Sequence, residues 1–251
     1  MERAVAIAHE TGEVLLHHFA DAGLDVQAKG PRDVVTPADY ESEALVHRRL
    51  GEAFPDDGVV GEEGTNTAEG KARRWYVDPL DGTLNFSRGV PIWSVSIALY
   101  EGDTGLVGVV YDPIRRETFA AARGFGAFCN GEAIRTTRLV DPAQAFVHVT
   151  VDFNDVSRTE GLEDIQRLAP AVLRTRNLGS AALGLAYVAA GRVDAMLHRH
   201  ANAWDYGAGV VLIDEAGGSV TTMGGTSWRP GEVSIAGAAS DALRQGLLAV
   251  L

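Results

Sequence analysis

Apolar and polar positions first divide this chain into elements. Val5, Ala8, Gly12, Leu15 and Phe19 recur three to four positions apart, so residues 2 to 20 read as an amphipathic helix. Asp21-Ala22-Gly23 supplies its stop. Thr36 is an N-cap signal, Pro37 suits the first helical position, and Asp39, Glu41 and Glu43 place negative charge near the start of a second helix. That helix runs to about Ala53, ahead of Phe54-Pro55. Val59-Val60 is then a short apolar approach to the acidic loop Gly61-Glu62-Glu63-Gly64.

The next block reads as strands at hairpin spacing: Arg74 to Val77, Trp93 to Tyr100, Gly105 to Tyr111, Glu117 to Ala122 and Gly126 to Phe128. Asn130-Gly131 is a strong hairpin turn, so a mostly antiparallel sheet is expected. After about Leu139 the pattern changes. Phe146 to Val151, Val193 to Leu197, Val220-Thr221 and Ser234-Ile235-Ala236 read as strands. Asp164 to Leu168 lies in a helix or turn. Ser180 to Ala190, Tyr206 to Glu215 and Ser240 to Ala249 read as helices, the second ended by Gly217-Gly218. Such alternation predicts helices layered on sheets, hence an α+β fold. No internal repeat or linker is evident. The expected organisation is two packed halves, 1–138 and 139–251, forming one unit.

Charge narrows the partners. The 251 residues include 22 Lys plus Arg and 34 Asp plus Glu, a net charge of −12. That sign disfavours nucleic acid and anionic membrane surfaces. It leaves an anionic substrate open, because a bound divalent cation inverts the local field. Cys129 is the single cysteine, which excludes an internal disulfide framework and a thiolate zinc cluster. No apolar run approaches the roughly 18 residues of a membrane span. Glu2, His9, Glu10 and Glu13 interrupt any secretory signal, so the expected compartment is the cytoplasm.

The candidate chemistry lies in Trp75-Tyr76-Val77-Asp78-Pro79-Leu80-Asp81-Gly82-Thr83-Leu84-Asn85-Phe86. A strand delivers Asp78 and Asp81 into a turn. Pro79 restricts the backbone there, and Gly82 permits close backbone approach. Hard divalent ions such as Mg²⁺ take oxygen ligands, usually carboxylates, waters and substrate phosphate. Asp78, Asp81 and the Leu80 carbonyl between them are such donors. The amides of Gly82 and Thr83 open the next segment and can receive a phosphate oxygen. A bare DxxD reads first as a surface turn whose Asp caps its own backbone, and the flanking strand, Pro, Gly and Thr do not by themselves reverse that reading. Asp205, in Trp204-Asp205-Tyr206-Gly207-Ala208-Gly209, reads either as a helix cap or as a metal ligand. Glu62 by itself reads as part of a solvated loop. No G-x-S-x-G elbow, Walker loop or dinucleotide fingerprint is present.

Taken together, three segments resemble the inositol monophosphatase family of lithium-sensitive, Mg²⁺-dependent phosphatases: Gly61-Glu62-Glu63, Asp78 to Phe86, and Trp204 to Gly218. Lys29 with Asp33-Val34-Val35-Thr36 to Asp39, Phe125 to Gly131, and Gly179-Ser180-Ala181-Ala182-Leu183 with Gly191 to Ala195 extend the similarity to roughly residues 5 to 240. The resemblance implies a layered α-β-α-β-α sandwich of the inositol monophosphatase/fructose bisphosphatase type. It implies two or three Mg²⁺ ions. Glu62, Asp78 and the Leu80 carbonyl would hold the ion that activates water, and Asp78, Asp81 and Asp205 a second at the leaving oxygen. Thr83, oriented by Asp39, would help take the water's proton, and the Gly82 and Thr83 amides would hold the phosphate. The implied chemistry is in-line displacement by water with no phosphoenzyme. A homodimer is also implied.

One position departs from the family pattern. Relatives carry a Glu seven positions before the late metal Asp, where it receives ring hydroxyls; counting back from Asp205 gives His198. An imidazole cannot accept from two hydroxyls as a carboxylate does. It can meet a second anionic group. Gly179, Ser180 and Ala181 are candidates for substrate contact, or simple helix capping. Arg174 and Arg176 read as an anion clamp or as solvated strand charges. The expected function is hydrolysis of a small phosphate monoester, inositol 1-phosphate or a related polyol or sugar phosphate. Histidinol phosphate, fructose 1,6-bisphosphate and a 3′-phosphonucleotide are the alternatives within the class. A non-catalytic metal-dependent binding or regulatory protein is the alternative outside it.

Overall fold

Residues 1–20, 25–30, 32–151 and 155–251 are described by a computed structural model, so the stop read at Asp21-Ala22-Gly23 lies outside the described residues. Helix α1 (Glu2–Phe19) is followed by a two-stranded hairpin, β1 (Gln27–Gly30) and β2 (Asp33–Val35), and by α2 (Pro37–Ala53). The Thr36 hydroxyl accepts from the Ala38 amide, and Asp39 returns a bond to the Thr36 amide, so α2 begins in the capping box its sequence announces. The hairpin has no apolar alternation to predict it, because β1 is mostly exposed.

A seven-stranded sheet comes next, in the order β3 (Gly58–Gly61), β4 (Arg73–Asp81), β5 (Ser94–Glu101), β6 (Thr104–Asp112), β7 (Glu117–Ala122), β8 (Gly126–Cys129) and β9 (Glu132–Ile134). Only the β3–β4 pair is parallel. A short helix, α3 (Thr83–Ser87), follows β4. The strand period of two then sorts side chains to two faces. Trp75, Val77, Val95, Ile97 and Val109 face α1 and α2, packing on Ile7, Leu15, Val46 and Leu50. Tyr76, Ala98, Tyr100 and Val110 face the opposite way.

The remaining elements are β10 (Phe146–Val149), α4 (Asp155–Leu168), β11 (Arg174–Arg176), α5 (Ala181–Ala189), β12 (Ala195–His198), α6 (Ala203–Glu215), β13 (Ser219–Thr221), β14 (Ile235–Ala238) and α7 (Asp241–Leu248). Their strands form a second sheet in the order β11-β10-β12-β14-β13. Helices α5 and α6 fill the space between the two sheets, through Leu183, Leu185, Tyr206 and Leu212. Beyond the second sheet, Val147, Val149, Ala195 and Leu197 pack on Leu168 of α4 and Leu243 and Leu247 of α7. The result is the expected five-layer α-β-α-β-α sandwich. Each fully buried large apolar side chain contributes about 1.5–3 kcal/mol to it.

Among the boundaries that differ from expectation, two bear directly on the site. Strand β4 does not stop at Val77. Its pairing with β5 breaks register between Asp78 and Asp81 and resumes at Asp81 opposite Ser94. Such an irregularity bends a strand and re-aims its side chains. Helix α6 starts at Ala203, earlier than Tyr206, which puts Asp205 inside its first turn.

Candidate active site

The register break in β4 holds the first two carboxylates. Asp78 Oδ1 accepts the Leu80 amide at 2.9 Å, closing the turn locally. Asp81 is bonded from far along the chain. Its Oδ1 accepts the Ala181 amide at 3.0 Å, and its Oδ2 accepts the Ala182 amide at 2.9 Å and the Ser180 hydroxyl. Asp81 therefore caps α5 from another element, supplying the negative charge that a helix start favours. Asp205 Oδ2 accepts the Asn202 amide at 2.6 Å. The cap reading and the ligand reading of Asp205 are thus compatible, since one carboxylate oxygen serves the backbone while the other remains available.

Asp78, Asp81 and Asp205 each present an oxygen within 4.8 Å of the others. Burial pushes the pKa of Asp78 and Asp205 well above the ordinary carboxylate range, and the neighbouring Glu62 carboxyl adds to both shifts. Burial also raises Asp81, against the hydrogen bonds from Ser180, Ala181 and Ala182. Acids crowded in this way repel one another unless a cation or protons intervene. An all-oxygen donor set of this kind fits a hard divalent cation.

Glu62 lies beside this trio but outside it. Lys29 Nζ meets Glu62 at 3.1 Å and Glu63 at 2.9 Å. Burial raises the Glu62 pKa, while Lys29 and a hydrogen bond with Asp78 oppose that rise. Glu63 is pushed up to about 7, chiefly by burial. In the sequence Lys29 stands out only within the Lys29 to Asp39 motif; its place against Glu62 follows from the β1–β2 hairpin.

Thr83 opens α3. Its hydroxyl lies 3.0 Å from both Asp39 Oδ1 and the Leu80 carbonyl. A hydroxyl has one proton, so it donates to one of these at a time. Asp39 is buried behind Thr83, and its other oxygen takes the Thr36 amide at 2.8 Å and hydroxyl at 2.7 Å. Gly82 has φ 99°, and a Cβ there would sit 3.0 Å from the Ile92 carbonyl. Only glycine fits that backbone without strain.

A cleft of about 330 Å³ gathers Glu62, Asp78, Leu80, Asp81, Gly82, Thr83, Gly179, Ser180, Ala181, His198 and Asp205 along its wall. Every residue nominated for metal, phosphate or substrate contact through the family resemblance lines it except Asp39, which stands one hydrogen bond behind. Arg174 and Arg176 are not in the wall. They lie at the edge of the second sheet, with Arg176 over the Phe146 ring at 5.6 Å. Thr150, Asn177, His200 and Asn202 also line the cleft. Sequence reasoning assigned Thr150, Asn177 and Asn202 no role, since single polar residues on loops carry no spacing signal. Among the described lining residues none is Lys or Arg.

With this geometry in place, comparison identifies the class. The chain belongs to the inositol monophosphatase family, whose family model matches residues 1–251, and it is a phosphoric monoester hydrolase. It is 39% identical over 229 residues to the inositol-1-monophosphatase of Mesorhizobium japonicum, covering 88% of this chain and 84% of that one. It is 35% identical over 231 residues to a fructose-1,6-bisphosphatase/inositol-1-monophosphatase of Thermotoga maritima, covering 90% and 85%. The crystal structure of the extragenic suppressor protein suhB from Bartonella henselae superposes with TM-score 0.94 at 33% identity, covering 100% of this chain and 97% of that one.

Proposed function

We propose that this protein is an Mg²⁺-dependent phosphatase acting on a small phosphate monoester, inositol 1-phosphate or a related polyol or sugar phosphate. The observation that carries this reading is the convergence of Asp78, Asp81 and Asp205 within 4.8 Å at the wall of one cleft. Glu62, Asp78 and the Leu80 carbonyl would hold one ion, and Asp78, Asp81 and Asp205 a second; Glu62 would also share a third. When bound, the ions supply positive charge against the phosphoryl oxygens and acidify water.

The chain's own groups do the rest. Asp39 orients Thr83 by accepting its proton, which turns a Thr83 lone pair outward to receive a proton from the attacking water. The Gly82 and Thr83 amides face the phosphate. Gly179, Ser180, Ala181 and His198 border the alcohol portion of the ester. Asp205 borders both the ions and the ester.

The lining favours a monophosphate over fructose 1,6-bisphosphate, because no described Lys or Arg in the wall waits for a second phosphate. His198 disfavours histidinol phosphate, because an imidazole is a poorer partner than Glu for a cationic end. A non-catalytic role is disfavoured by the retention of every nominated ligand. The reading carries with it a cytoplasmic homodimer that binds neither nucleic acid nor membrane. No helix among the described residues is long and apolar enough to cross a membrane.

The test is phosphate release across a panel of inositol, sugar, histidinol and nucleotide phosphates, with Mg²⁺, with chelator and with added Li⁺. Release from a polyol monophosphate that needs Mg²⁺ and falls with Li⁺ supports the reading. No release from any ester at saturating Mg²⁺ rejects it.

A further inference from the structure

His148 lies in β10 on the face turned toward α5, and it is fully buried. Its Nε2 is 3.2 Å from the Leu178 amide, which has a proton to give and nothing to accept with, and 3.3 Å from the Thr150 hydroxyl, which can donate as well. Nε2 must therefore carry the lone pair, and the ring proton must sit on Nδ1. Nδ1 is buried with no hydrogen-bond partner. A buried donor left unmatched is unfavourable, so the ring holds this orientation against a local penalty. Space for it exists because residue 184 on α5 is glycine; a Cβ there would overlap the imidazole. Burial also pushes the His148 pKa down to about 3, which keeps the ring a neutral acceptor at ordinary pH.

The bond sits at one end of a continuous path. The backbone of Leu178 is held at both of its peptide groups, its N–H by His148 and its carbonyl by Asn85 Nδ2 at 2.9 Å. Asn85 also donates to the Ile92 carbonyl at 2.8 Å. Two to four residues after Leu178, Ser180, Ala181 and Ala182 donate to Asp81. Asn177 and Gly179, on either side of Leu178, line the cleft.

We propose that His148 is a positioning residue for the active site: by fixing the Leu178 amide through Nε2, it places the α5 amides that hold Asp81 and the wall formed by Asn177 and Gly179. It touches no reacting group. The part concerning metal affinity rests on the Asp81 role proposed above; the part concerning the Leu178–Ala182 segment does not.

Three measurements test it on the full chain. Nitrogen NMR of the wild-type imidazole should show Nδ1 protonated and Nε2 bare at neutral pH. In metal-free protein, His148→Leu should speed amide hydrogen exchange over residues 178–182 by about tenfold, the loss of one net hydrogen bond. Calorimetry with Mg²⁺ alone should find binding weakened by about tenfold in the same variant. His148→Gln, which restores an acceptor at the reach of Nε2, should return both values to within about twofold of wild type. A protonated Nε2 in the wild type overturns the proposal. So does His148→Leu with unchanged exchange at 178–182, or with unchanged Mg²⁺ affinity. Equal loss in the Leu and Gln variants, spread over the whole molecule, marks a merely structural role and also overturns it. If the Leu variant does not fold, the tautomer and the Gln variant decide. Failure of the phosphatase reading would appear in the wild-type ester panel and leave the tautomer and exchange results untouched.

Discussion

The Ala181 amide donates to Oδ1 of Asp81 across 3.0 Å and 100 residues of chain. One carboxylate thereby caps a helix of the central layer and belongs to the acidic trio, so the position of α5 and the geometry of the site are set together. Asp81→Asn separates the two roles. The amide keeps one acceptor for the helix but presents an NH₂ to the remaining donors and carries no charge. Turnover should fall by at least about a hundredfold, the scale seen when a charge-stabilising group is lost. Far-ultraviolet circular dichroism should stay that of the wild type, with a melting temperature only a few degrees lower, as a change of ~1 kcal/mol gives in a chain of this size. Retained turnover would remove Asp81 from the proposed ion pair.

Removing the Thr83 hydroxyl probes the proton path. Thr83→Val keeps shape and loses the bond to Asp39. The kcat should drop by about 10²–10⁴, the usual range for a positioned proton-transfer group, with a nearly unchanged melting curve. Thr83→Ser should keep most of the activity. Equal rates for the Val and Ser variants would take Thr83 out of the chemistry.

Metal and pH should act on stability in opposite senses. The raised carboxyls of Asp78, Asp81, Asp205 and Glu62 mean that the folded, metal-free chain binds more protons than the unfolded one. Their contribution is therefore fully present below the unfolded carboxyl range near pH 4 and is lost as pH rises through the folded values. Glu63, raised to about 7, extends that loss to neutral pH. With chelator, the melting temperature should be higher near pH 5.5 than near pH 8. Saturating Mg²⁺ at about 100 times its dissociation constant should add ~2.7 kcal/mol, roughly 5–10 °C here, and more at high pH than at low because the ion needs ionised ligands. A melt at pH 8 that ignores millimolar Mg²⁺ would count against the cation site.

Gly82→Ala tests the turn itself. With φ at 99° and the Ile92 carbonyl 3.0 Å from the new methyl, the substitution should cost about 1–3 kcal/mol in chemical denaturation and abolish most activity. Wild-type stability would show that the turn relaxes freely.

Local chemistry made much of this protein readable before any coordinates. The Thr36-Pro37 helix start, the Asn130-Gly131 hairpin and the strand-forming run Trp75-Tyr76-Val77 all depend on neighbours a few positions away, and each of these elements is present. The motif around Asp78 was legible for the same reason, since its first bond, to the Leu80 amide, closes within two residues. Other features depend on contacts between elements remote in sequence. The β1–β2 hairpin that brings Lys29 to Glu62 has no periodicity of its own. The pairing of Asp39 with Thr83, the support of Asp81 by α5 and the wedge of His148 against Gly184 join segments 44, 100 and, in the last case, two separate layers apart. Period and propensity specify which backbone a segment adopts and which face it buries. Where those faces meet is decided by the packing of five layers, because only there do burial and long-range hydrogen bonds act on residues the chain order keeps apart.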